Sequence, residues 1–400
     1  MTLEAILGRA GTGKSTIMRA HARMRNLAIL ATTGVAAINQ GGQTVHSWCG
    51  YNWCGYNMTH ERFAINLDKF TSVNGIAIDE ISMMQRPFMD GLLDTLHHLE
   101  SVTSHQFTVL VCGDFGQLPP VGEKVAAYSK SFPRSSQPLP WVFYSDYWGA
   151  FADNCTRLTH IHRQADQKFV DALTAARMGQ GYDAAVQLKK LGVQFTAGVR
   201  TDDESTILYA TNDRVNEYNA YKLKLLCRDG RQVSTFRTVS ANHSYSVDVC
   251  NGAPIMLLAN NLDAGWANGT LAKVLELPES TFVYAGPTAP KLRVRILTGP
   301  NKDEEVMIGA VNRRYVNSHG TYVDNWIWPF RLAWATTIHK CQGLTLDKVV
   351  VNTGEWTANT PGAMYTALSR VRRPEDLIIV GTVDKLAEKI KASQEAMKWF

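Results

Sequence analysis

The sequence predicts an α/β protein with two cores, each built on a parallel β-sheet, and a small all-β module inserted into the second core. In the first third of the chain, short apolar runs alternate with Gly-rich turns and helical patterns, which is typical of parallel sheets covered by helices. Between about residues 247 and 311, short β runs are instead broken by Gly, Asn and Pro. The α/β alternation resumes at Pro329.

The first core should contain four short buried strands, at residues 3–7, 28–31, 75–78 and 108–112. Each of these apolar runs is followed by a turn or by the start of a helix. Five prolines between residues 119 and 140 then predict a loop, because proline lacks the N–H group that helices and sheets require. The predicted boundaries of the first core are residues 1–150.

The second core should occupy residues 151–255 and 329–400, with the β module at 256–328. Helical patterns appear at 167–178, 182–191 and 211–226, and a strand at 205–210. The predicted β runs of the module are 255–258, 272–277, 292–297 and 305–308. After the module, strands are predicted at 330–335, 348–352 and 377–380, with helical segments starting at 337 and spanning 361–370.

Composition excludes several classes of protein. The 400 residues are 45% hydrophobic and 19% charged, which is typical of globular proteins and not of disordered ones. No run approaches the roughly 18 to 20 apolar residues of a membrane helix, and the first seven residues are too short and too acidic for a signal peptide. Seven scattered cysteines favour a reducing compartment, so we expect a cytoplasmic protein without a membrane partner. The net charge of +5 is compatible with a polyanionic partner.

Residues 8–15 read GRAGTGKS and fit the phosphate-binding pattern G-x-x-x-x-G-K-[ST]. The string follows an apolar strand and begins a helix, which is the context that the pattern requires. Loop N–H groups and the helix N-terminus attract phosphate, Lys14 can reach the β- and γ-phosphates, and the Ser15 hydroxyl can ligate Mg²⁺. We therefore expect nucleotide contacts from Gly11, Thr12, Gly13, Lys14, Ser15 and Thr16.

Two adjacent carboxylates end the apolar run GIAIDE at residues 75–80. Asp79 is predicted to hold Mg²⁺, directly or through water, and Glu80 to polarise the attacking water. A second carboxylate beside the metal ligand suits ATP hydrolysis better than phosphoryl transfer to a substrate. The predicted cofactors are therefore ATP and Mg²⁺.

A third string, CGDFGQLPPV at residues 112–121, resembles superfamily 1 DNA helicases of the 5′-to-3′ subgroup B, of the Pif (petite integration frequency), Dda and RecD-like type. Other motifs of this family stand in the same order along nearly the whole chain. They are ATTGVAA at 31–37, TVHS at 44–47, Arg163-Gln164, Ala210-Thr211-Asn212, ATTIHKCQG at 335–343 and YTALSRV at 365–371.

The resemblance implies two RecA-like phosphate-loop cores, a minimal wedge hairpin at about residues 48–72 and a small β-barrel in the second core. It also implies that Arg163 and Arg370 reach the γ-phosphate, that Gln117 senses it, and that Gly343 contacts the nucleotide. The predicted catalytic set is Lys14, Glu80, Gln117, Arg163 and Arg370. The DNA contacts that it implies are Thr33, Gly34, His46, Thr211, Asn212, Thr336, His339 and Lys340. Trp53 and Tyr56 are further predicted DNA contacts, from the aromatic cluster beside His46. In the family a glutamine before the phosphate loop reads adenine; only seven residues precede Gly8, so the base preference stays open.

The aromatic cluster of Trp48, Tyr51, Trp53 and Tyr56 has two interpretations. Aromatic rings can stack nucleobases, at about 1 to 3 kcal/mol each, or they can form a small hydrophobic core beneath a hairpin. Both interpretations stay open. The run WIWPF at residues 326–330 is predicted to pack within the β module.

The predicted function is an ATP-dependent 5′-to-3′ DNA helicase that translocates on single-stranded DNA and unwinds duplex DNA. Single-stranded and forked DNA are the predicted partners, with a single-stranded-DNA-binding protein as a further candidate, and a monomer is expected. The alternative is a DNA-stimulated ATPase that remodels nucleic-acid complexes without processive unwinding. An RNA helicase stays open, and a small-molecule kinase is disfavoured because it gives the late arginine motifs no role.

Overall fold

The protein is described from a computed structural model, and the chain divides into two compact units. The first comprises Met1–Val199, Gln342–Asp347 and Val351–Phe400, and the second comprises Arg200–Cys341 and Lys348–Val350. The predicted core boundaries stay a prediction. The structure describes residues 1–49, 67–120, 141–198, 205–239, 244–259, 261, 266, 269–298, 301–312, 315–316, 322–354 and 360–400.

The strands of the described residues are β1 Thr2–Gly8, β2 Leu27–Ala31, β3 Gln43–Thr44, β4 Gly75–Asp79, β5 Thr108–Gly113, β6 Cys155–Leu158, β7 Gln194–Thr196, β8 Thr206–Tyr209, β9 Val233–Val239, β10 Ser244–Cys250, β11 Pro254–Leu257, β12 Leu271–Glu276, β13 Phe282–Tyr284, β14 Leu292–Ile296, β15 Glu305–Ile308, β16 Val311–Asn312, β17 Tyr315–Val316, β18 Tyr322–Val323, β19 Trp326–Ile327, β20 Phe330–Leu332, β21 Ala335–Thr337, β22 Val349–Asn352 and β23 Leu377–Val380.

The α-helices of the same residues are α1 Lys14–Arg25, α2 Gly34–Asn39, α3 Val45–Trp48, α4 Leu67–Thr71, α5 Arg86–Thr103, α6 Trp148–Asp153, α7 Gln167–Arg177, α8 Gly181–Lys190, α9 Asn212–Leu226, α10 Ile338–Cys341, α11 Ala363–Leu368 and α12 Val383–Lys389. None of them is long and apolar enough to span a bilayer.

The first unit contains a six-stranded sheet in the order β3-β2-β4-β5-β1-β6, with every pair parallel. Its central strands β4 and β5 are buried almost throughout, because helices cover both faces of a parallel sheet. Gly75 begins β4 at φ +149, and a Cβ there would lie 1.9 Å from the Thr108 carbonyl oxygen, so only glycine fits. The loops after β1, β4 and β5 leave the carboxyl edge of this sheet, where ligands bind in open α/β folds.

The second unit contains the parallel pair β8 and β21, helix α9 and a set of largely antiparallel strands. Strands β15-β14-β12-β11-β20 form one sheet, and β10-β9-β13 form another. Trp328 and Phe330 are fully buried, and both rings meet Phe236 edge to face. The packing predicted for these two residues is confirmed.

The strand predicted at residues 330–335 is instead two strands in different sheets. β20 pairs antiparallel with β11, whereas β21 pairs parallel with β8. The Asn219 side chain from α9 occupies the break: its Nδ2 donates to the carbonyl oxygens of Leu332 and Ala335, and its Oδ1 accepts from the N–H of Ala335. This side-chain amide satisfies backbone groups where the chain changes sheets.

Candidate nucleotide-binding site

The phosphate loop connects β1 to α1 in the first unit. Gly11 and Gly13 have φ values of +82 and +81, a conformation that glycine adopts without strain. A Cβ on Gly11 would also lie 2.6 Å from Cβ of Arg163. Gly13 caps α1 without any side-chain hydrogen bond, so the N–H groups of the first helical turn face the loop. A loop of this shape, with the helix dipole behind it, favours an anion.

Lys14 lies across the loop and is largely buried. Its Nζ donates to the Arg9 carbonyl oxygen at 2.7 Å, and the Thr12 hydroxyl donates to the same oxygen at 2.9 Å. The ammonium group is therefore held within the loop that it is predicted to serve.

Asp79 ends β4, where it is 2% exposed. Its Oδ1 accepts hydrogen bonds from the Glu80 N–H at 2.8 Å and from Sγ of Cys112 at 2.9 Å. Burial, and then the charge of Asp79, raise the pKa of the Cys112 thiol, so this thiol is protonated and donates. Two donors thus fix the orientation of the Asp79 carboxylate.

Glu80 has φ +54, a left-handed conformation that is uncommon for residues other than glycine. Its Oε2 accepts from Nε2 of Gln342 at 3.0 Å. Burial, and then the neighbouring Asp79 charge, raise the pKa of Glu80, while the Gln342 hydrogen bond and the Lys14 charge oppose that rise. A carboxylate with a raised pKa is a stronger base, which is the property that activation of water requires.

Arg370 is 1% exposed and well anchored. Its Nε donates to the Thr366 carbonyl oxygen at 2.7 Å and one terminal nitrogen donates to the Ser369 hydroxyl at 2.8 Å. The same nitrogen lies 3.4 Å from Oε1 of Gln117. The guanidinium group therefore connects the CGDFGQLPPV string, which carries Gln117, with the YTALSRV string, which carries Arg370 itself.

Arg163 donates to the carbonyl oxygen of Ser369, the residue before Arg370, at 3.1 Å. Burial, and then the positive charge of Arg370, lower the pKa of Arg163 to about 9. Two guanidinium groups that disfavour each other's charge form a site where an anion is stabilising.

These side chains surround one cleft of about 460 Å³ within the first unit. The structure thus brings together the predicted nucleotide contacts from six separate motifs, except for Thr12, which is buried and does not line the cleft. The lining residues are Ala10, Gly11, Gly13, Lys14, Ser15, Thr16, Gln40, Asp79, Glu80, Gln117, His162, Arg163, Gly343, Thr345, Arg370 and Arg372.

The oxygens of Ser15 and Asp79 are the hard ligands that Mg²⁺ prefers, and both residues line the cleft. Across the described ranges, no three or more His, Cys, Asp or Glu side chains are grouped so that they could hold a metal by themselves. That arrangement fits Mg²⁺, which is usually bound by one or two protein ligands together with water and substrate phosphates.

Sequence reasoning missed several buried partners in this region. Gln342 and Asp114 stand inside motif strings, so the signal for them was present. Arg177, which donates twice to Asp114, lies in helix α7 outside every motif. No local pattern could have identified it.

The predicted DNA contacts of the first unit lie near β2 and β3. The Thr33 hydroxyl accepts from the N–H of Ala36 at 3.2 Å as α2 begins at Gly34. The His46 ring lies 4.2 Å from the ring of Phe88.

Trp48 is 7% exposed and packs on Phe70, with ring centroids 4.4 Å apart. For Trp48, the core interpretation of the aromatic cluster is therefore the one that the structure supports. Tyr51, Trp53 and Tyr56 lie outside the described residues, as do residues 50–66 of the predicted wedge.

In the second unit, Thr211 precedes α9, and the Asn212 Oδ1 accepts from Nζ of Lys340 at 3.2 Å. His339 is partly buried, and this burial lowers its pKa. Thr336 is fully buried, and its hydroxyl accepts from Arg331 at 3.1 Å. The structure thus pairs Asn212 with Lys340 but directs the Thr336 side chain into the protein interior.

Comparison with known proteins bears out the resemblance to this family. Residues 5–180 match the model of the PIF1-like helicase family. The chain is similar to PIF1-like helicases, as the motifs predicted.

Two curated proteins that are similar to this chain are named ATP-dependent DNA helicase Pif1. The protein of Bdellovibrio bacteriovorus is 27% identical over 398 residues, which cover 94% of the chain and 83% of that relative. The human protein is 29% identical over 400 residues, which cover 93% of the chain but 57% of that relative. The chain therefore spans little more than half the length of its human relative.

Solved structures of Pif1 helicases share the fold. The crystal structure of Bacteroides Pif1 bound to single-stranded DNA has a TM-score of 0.76 at 24% identity, covering 100% of this chain and 92% of that one. Pif1 from Candida albicans has a TM-score of 0.78 at 24% identity, covering 100% and 95%. The predicted fold class, RecA-like α/β cores with an inserted β module, is confirmed.

Proposed function

We propose that this protein is a PIF1-like helicase, which hydrolyses ATP to translocate along single-stranded DNA in the 5′-to-3′ direction and to unwind duplex DNA. One observation carries the proposal: Lys14, Asp79, Glu80, Gln117, Arg163 and Arg370 line a single cleft of the first unit. The names of the relatives support the nucleic-acid part, because they are called ATP-dependent DNA helicases.

In this proposal, Lys14 and the loop N–H groups hold the β- and γ-phosphates of ATP. Glu80 accepts a proton from the attacking water, and Gln342 orients its carboxylate. Arg163 and Arg370 stabilise the charge that develops on the transferred phosphoryl group, while Gln117 links Arg370 to the third motif. Ser15 and Asp79 would hold Mg²⁺, which supplies neutralising charge between the phosphates when bound.

DNA contact is assigned to the two predicted sets of polar residues, in cores with boundaries at 1–150 and at 151–255 with 329–400. Thr33, Gly34 and His46 form the first set, and Thr211, Asn212, Thr336, His339 and Lys340 form the second. Thr336 would contribute through its backbone, since its side chain is buried. The aromatic residues Trp53 and Tyr56 are proposed to separate the strands at the wedge.

Apart from the Lys340 ammonium and the two wedge aromatics, these contact groups are short polar side chains and loop N–H groups, which follow phosphates and cannot discriminate base edges. Binding to single-stranded DNA should therefore weaken steeply with salt and vary little with base sequence. Fluorescence anisotropy on several shuffled oligonucleotides over a salt series measures both properties. A strong preference for one sequence over its shuffled versions would contradict the assignment.

The direction of movement tests the proposed helicase function. A duplex with a 5′ single-stranded tail should be unwound in the presence of ATP and Mg²⁺, and a duplex with only a 3′ tail should not. Strand displacement followed by gel or fluorescence measures the result, with the Lys14→Ala variant as the control without hydrolysis. Unwinding confined to the 3′-tailed duplex would overturn the polarity. DNA-stimulated ATPase activity without displacement of either duplex would instead favour the alternative, a remodelling ATPase.

We propose that the active species is a monomer that acts on forked DNA, assisted by a single-stranded-DNA-binding protein. One solved structure of a relative is described as two coordinating Pif1 helicases at forked duplex DNA. Light scattering of the complex with forked DNA distinguishes one copy per fork from two.

A further inference from the structure

A buried chain of hydrogen bonds connects the phosphate loop to three other elements of the first unit. The Ala10 N–H, inside the loop, donates to the Tyr365 hydroxyl oxygen at 3.0 Å. The Tyr365 hydroxyl in turn donates to Oδ2 of Asp114 at 3.1 Å. Arg177 completes the chain, because its Nε and one terminal nitrogen donate to Oδ1 of Asp114 at 3.0 and 2.8 Å. Tyr365, Asp114 and Arg177 are 3%, 1% and 5% exposed.

The charges in this chain leave only one direction for its hydrogen bonds. Burial opposes ionisation of Asp114, but the Arg177 guanidinium outweighs it and lowers the pKa of Asp114. Burial, and then the Asp114 charge, raise the pKa of Tyr365, so its hydroxyl stays protonated. Asp114 is thus an anion that accepts the Tyr365 proton, and the Tyr365 oxygen is directed to accept from the Ala10 N–H.

Three of the four segments joined by this chain, all except helix α7, also carry or adjoin a residue of the nucleotide cleft. Ala10 lies four positions before Lys14 in the phosphate loop, and Asp114 lies three positions before Gln117. Tyr365 lies in α11, and the N–H of Ser369 donates to its carbonyl oxygen, so the helical turn continues toward Arg370. None of Tyr365, Asp114 and Arg177 lines the cleft.

We propose that Tyr365 is a positioning residue, whose hydroxyl holds the phosphate loop in its nucleotide-binding conformation by fixing the Ala10 peptide. The N–H groups of a phosphate loop must point toward the phosphate. The Ala10 N–H points instead to the Tyr365 hydroxyl oxygen, and this hydrogen bond fixes the rotation of the Ala10 peptide. Loss of the acceptor leaves a buried N–H and a buried carboxylate oxygen without partners, and the loop must rearrange to satisfy them. The inference rests on the proposed ATPase function.

The test is Tyr365→Phe, which removes one oxygen and keeps the buried ring. The Kd of ADP and the KM for ATP should each rise about tenfold, because loop N–H groups bind the nucleotide ground state. The kcat at saturating ATP should change by less than about threefold, because Glu80 and Arg370 are intact. Hydrogen exchange of the Ala10 amide should accelerate, since its acceptor is gone.

The matched control is Tyr147→Phe in the same unit. Tyr147 also donates its hydroxyl hydrogen to a carboxylate, that of the partly buried Asp94. Tyr147 does not line the cleft or contact the loop. This variant should keep the wild-type ADP Kd and the wild-type exchange at Ala10. Thermal unfolding followed by circular dichroism sets a temperature at which both variants are fully folded, and all binding is measured there.

Three outcomes would overturn the inference. They are a wild-type ADP Kd in folded Tyr365→Phe, a fall in kcat without a rise in KM and Kd, and an equal effect of Tyr147→Phe. A double-mutant cycle combines Tyr365→Phe with Asp114→Asn. If the two free-energy effects on ADP binding simply add, the two residues do not act through one hydrogen-bond chain, which would also contradict the inference. Failure of the proposed function is separable, because the ADP Kd needs no turnover: a wild-type protein that binds ADP without hydrolysing ATP would contradict the ATPase and leave the Tyr365 comparison intact.

Discussion

Glu80→Gln should lower the kcat for ATP hydrolysis by about 10² to 10⁴, the usual contribution of a general base, while nucleotide binding is retained. The substitution preserves the size of the side chain and removes only its ability to accept a proton. Gln342 holds the Glu80 side chain, and the Glu80 carboxylate is buried beside Asp79. We therefore expect no neighbouring group to take its place as the base. Steady-state ATPase assays with single-stranded DNA and equilibrium binding of ADP measure the two effects separately.

Lys14→Ala is the contrasting variant, because it should lose both nucleotide binding and turnover. The pH dependence gives a second readout for Glu80. Its pKa is raised by burial and by Asp79, so protonation should remove activity as pH falls, with the acid limb of kcat above the usual glutamate range. Hydrolysis by Glu80→Gln at the wild-type rate would show that another group activates the water.

Much of the fold could be predicted because the central strands have a strong local signal. β2, β4 and β5 contain continuous apolar runs, and the run in β1 is interrupted only by Glu4, as expected for strands covered on both faces. β6 was missed because it is an edge strand with partly exposed residues, so its sequence shows no apolar run. The division of residues 330–335 between two sheets depends on Asn219, more than 100 positions away, and no local pattern encodes it.

The same distinction holds for the cleft. The phosphate loop and the Asp79-Glu80 pair could be read from the sequence because each motif is contiguous and its spacing follows from phosphate chemistry. The contact between Gln342 and Glu80 joins residues 262 positions apart, and that between Arg177 and Asp114 joins residues 63 apart. Such pairs arise only when separate elements pack, so a single sequence carries no spacing that reveals them.

The arrangement around Glu80 depends both on the local sequence motif and on the tertiary contacts. Its left-handed backbone conformation is uncommon for glutamate, and such strain persists only where surrounding contacts enforce it. Here the Asp79 carboxylate accepts the Glu80 N–H, and Gln342 holds the side chain. The motif supplies the carboxylate, and the tertiary contacts direct it into the cleft.

Arg370→Ala should lower the kcat of ATP hydrolysis by about 10³, within the range measured for arginine fingers, and Arg163→Ala should lower it by at least about a hundredfold. Both guanidinium groups line the cleft and contact Ser369, but their environments differ. Arg370 makes four or more hydrogen bonds within the protein, whereas the pKa of Arg163 is lowered to about 9. An anion between them would relieve their mutual repulsion, so their effect should grow as negative charge develops on the transferred phosphoryl group.

Because Arg370 is buried and anchored, its removal could also destabilise the fold, and Arg370→Lys provides a variant that keeps the charge but not the planar fork. The matched control is Arg373→Ala, an exposed arginine three positions later that bonds Asp376 and does not line the cleft. Arg373→Ala should keep the wild-type kcat. We expect Arg370→Lys to lose most of the rate. Because the fork also bonds Thr366, Leu344 and Ser369, kcat is measured at a temperature at which circular dichroism shows the variant to be folded. A folded Arg370→Lys or Arg163→Ala protein with wild-type kcat would remove that arginine from the catalytic set.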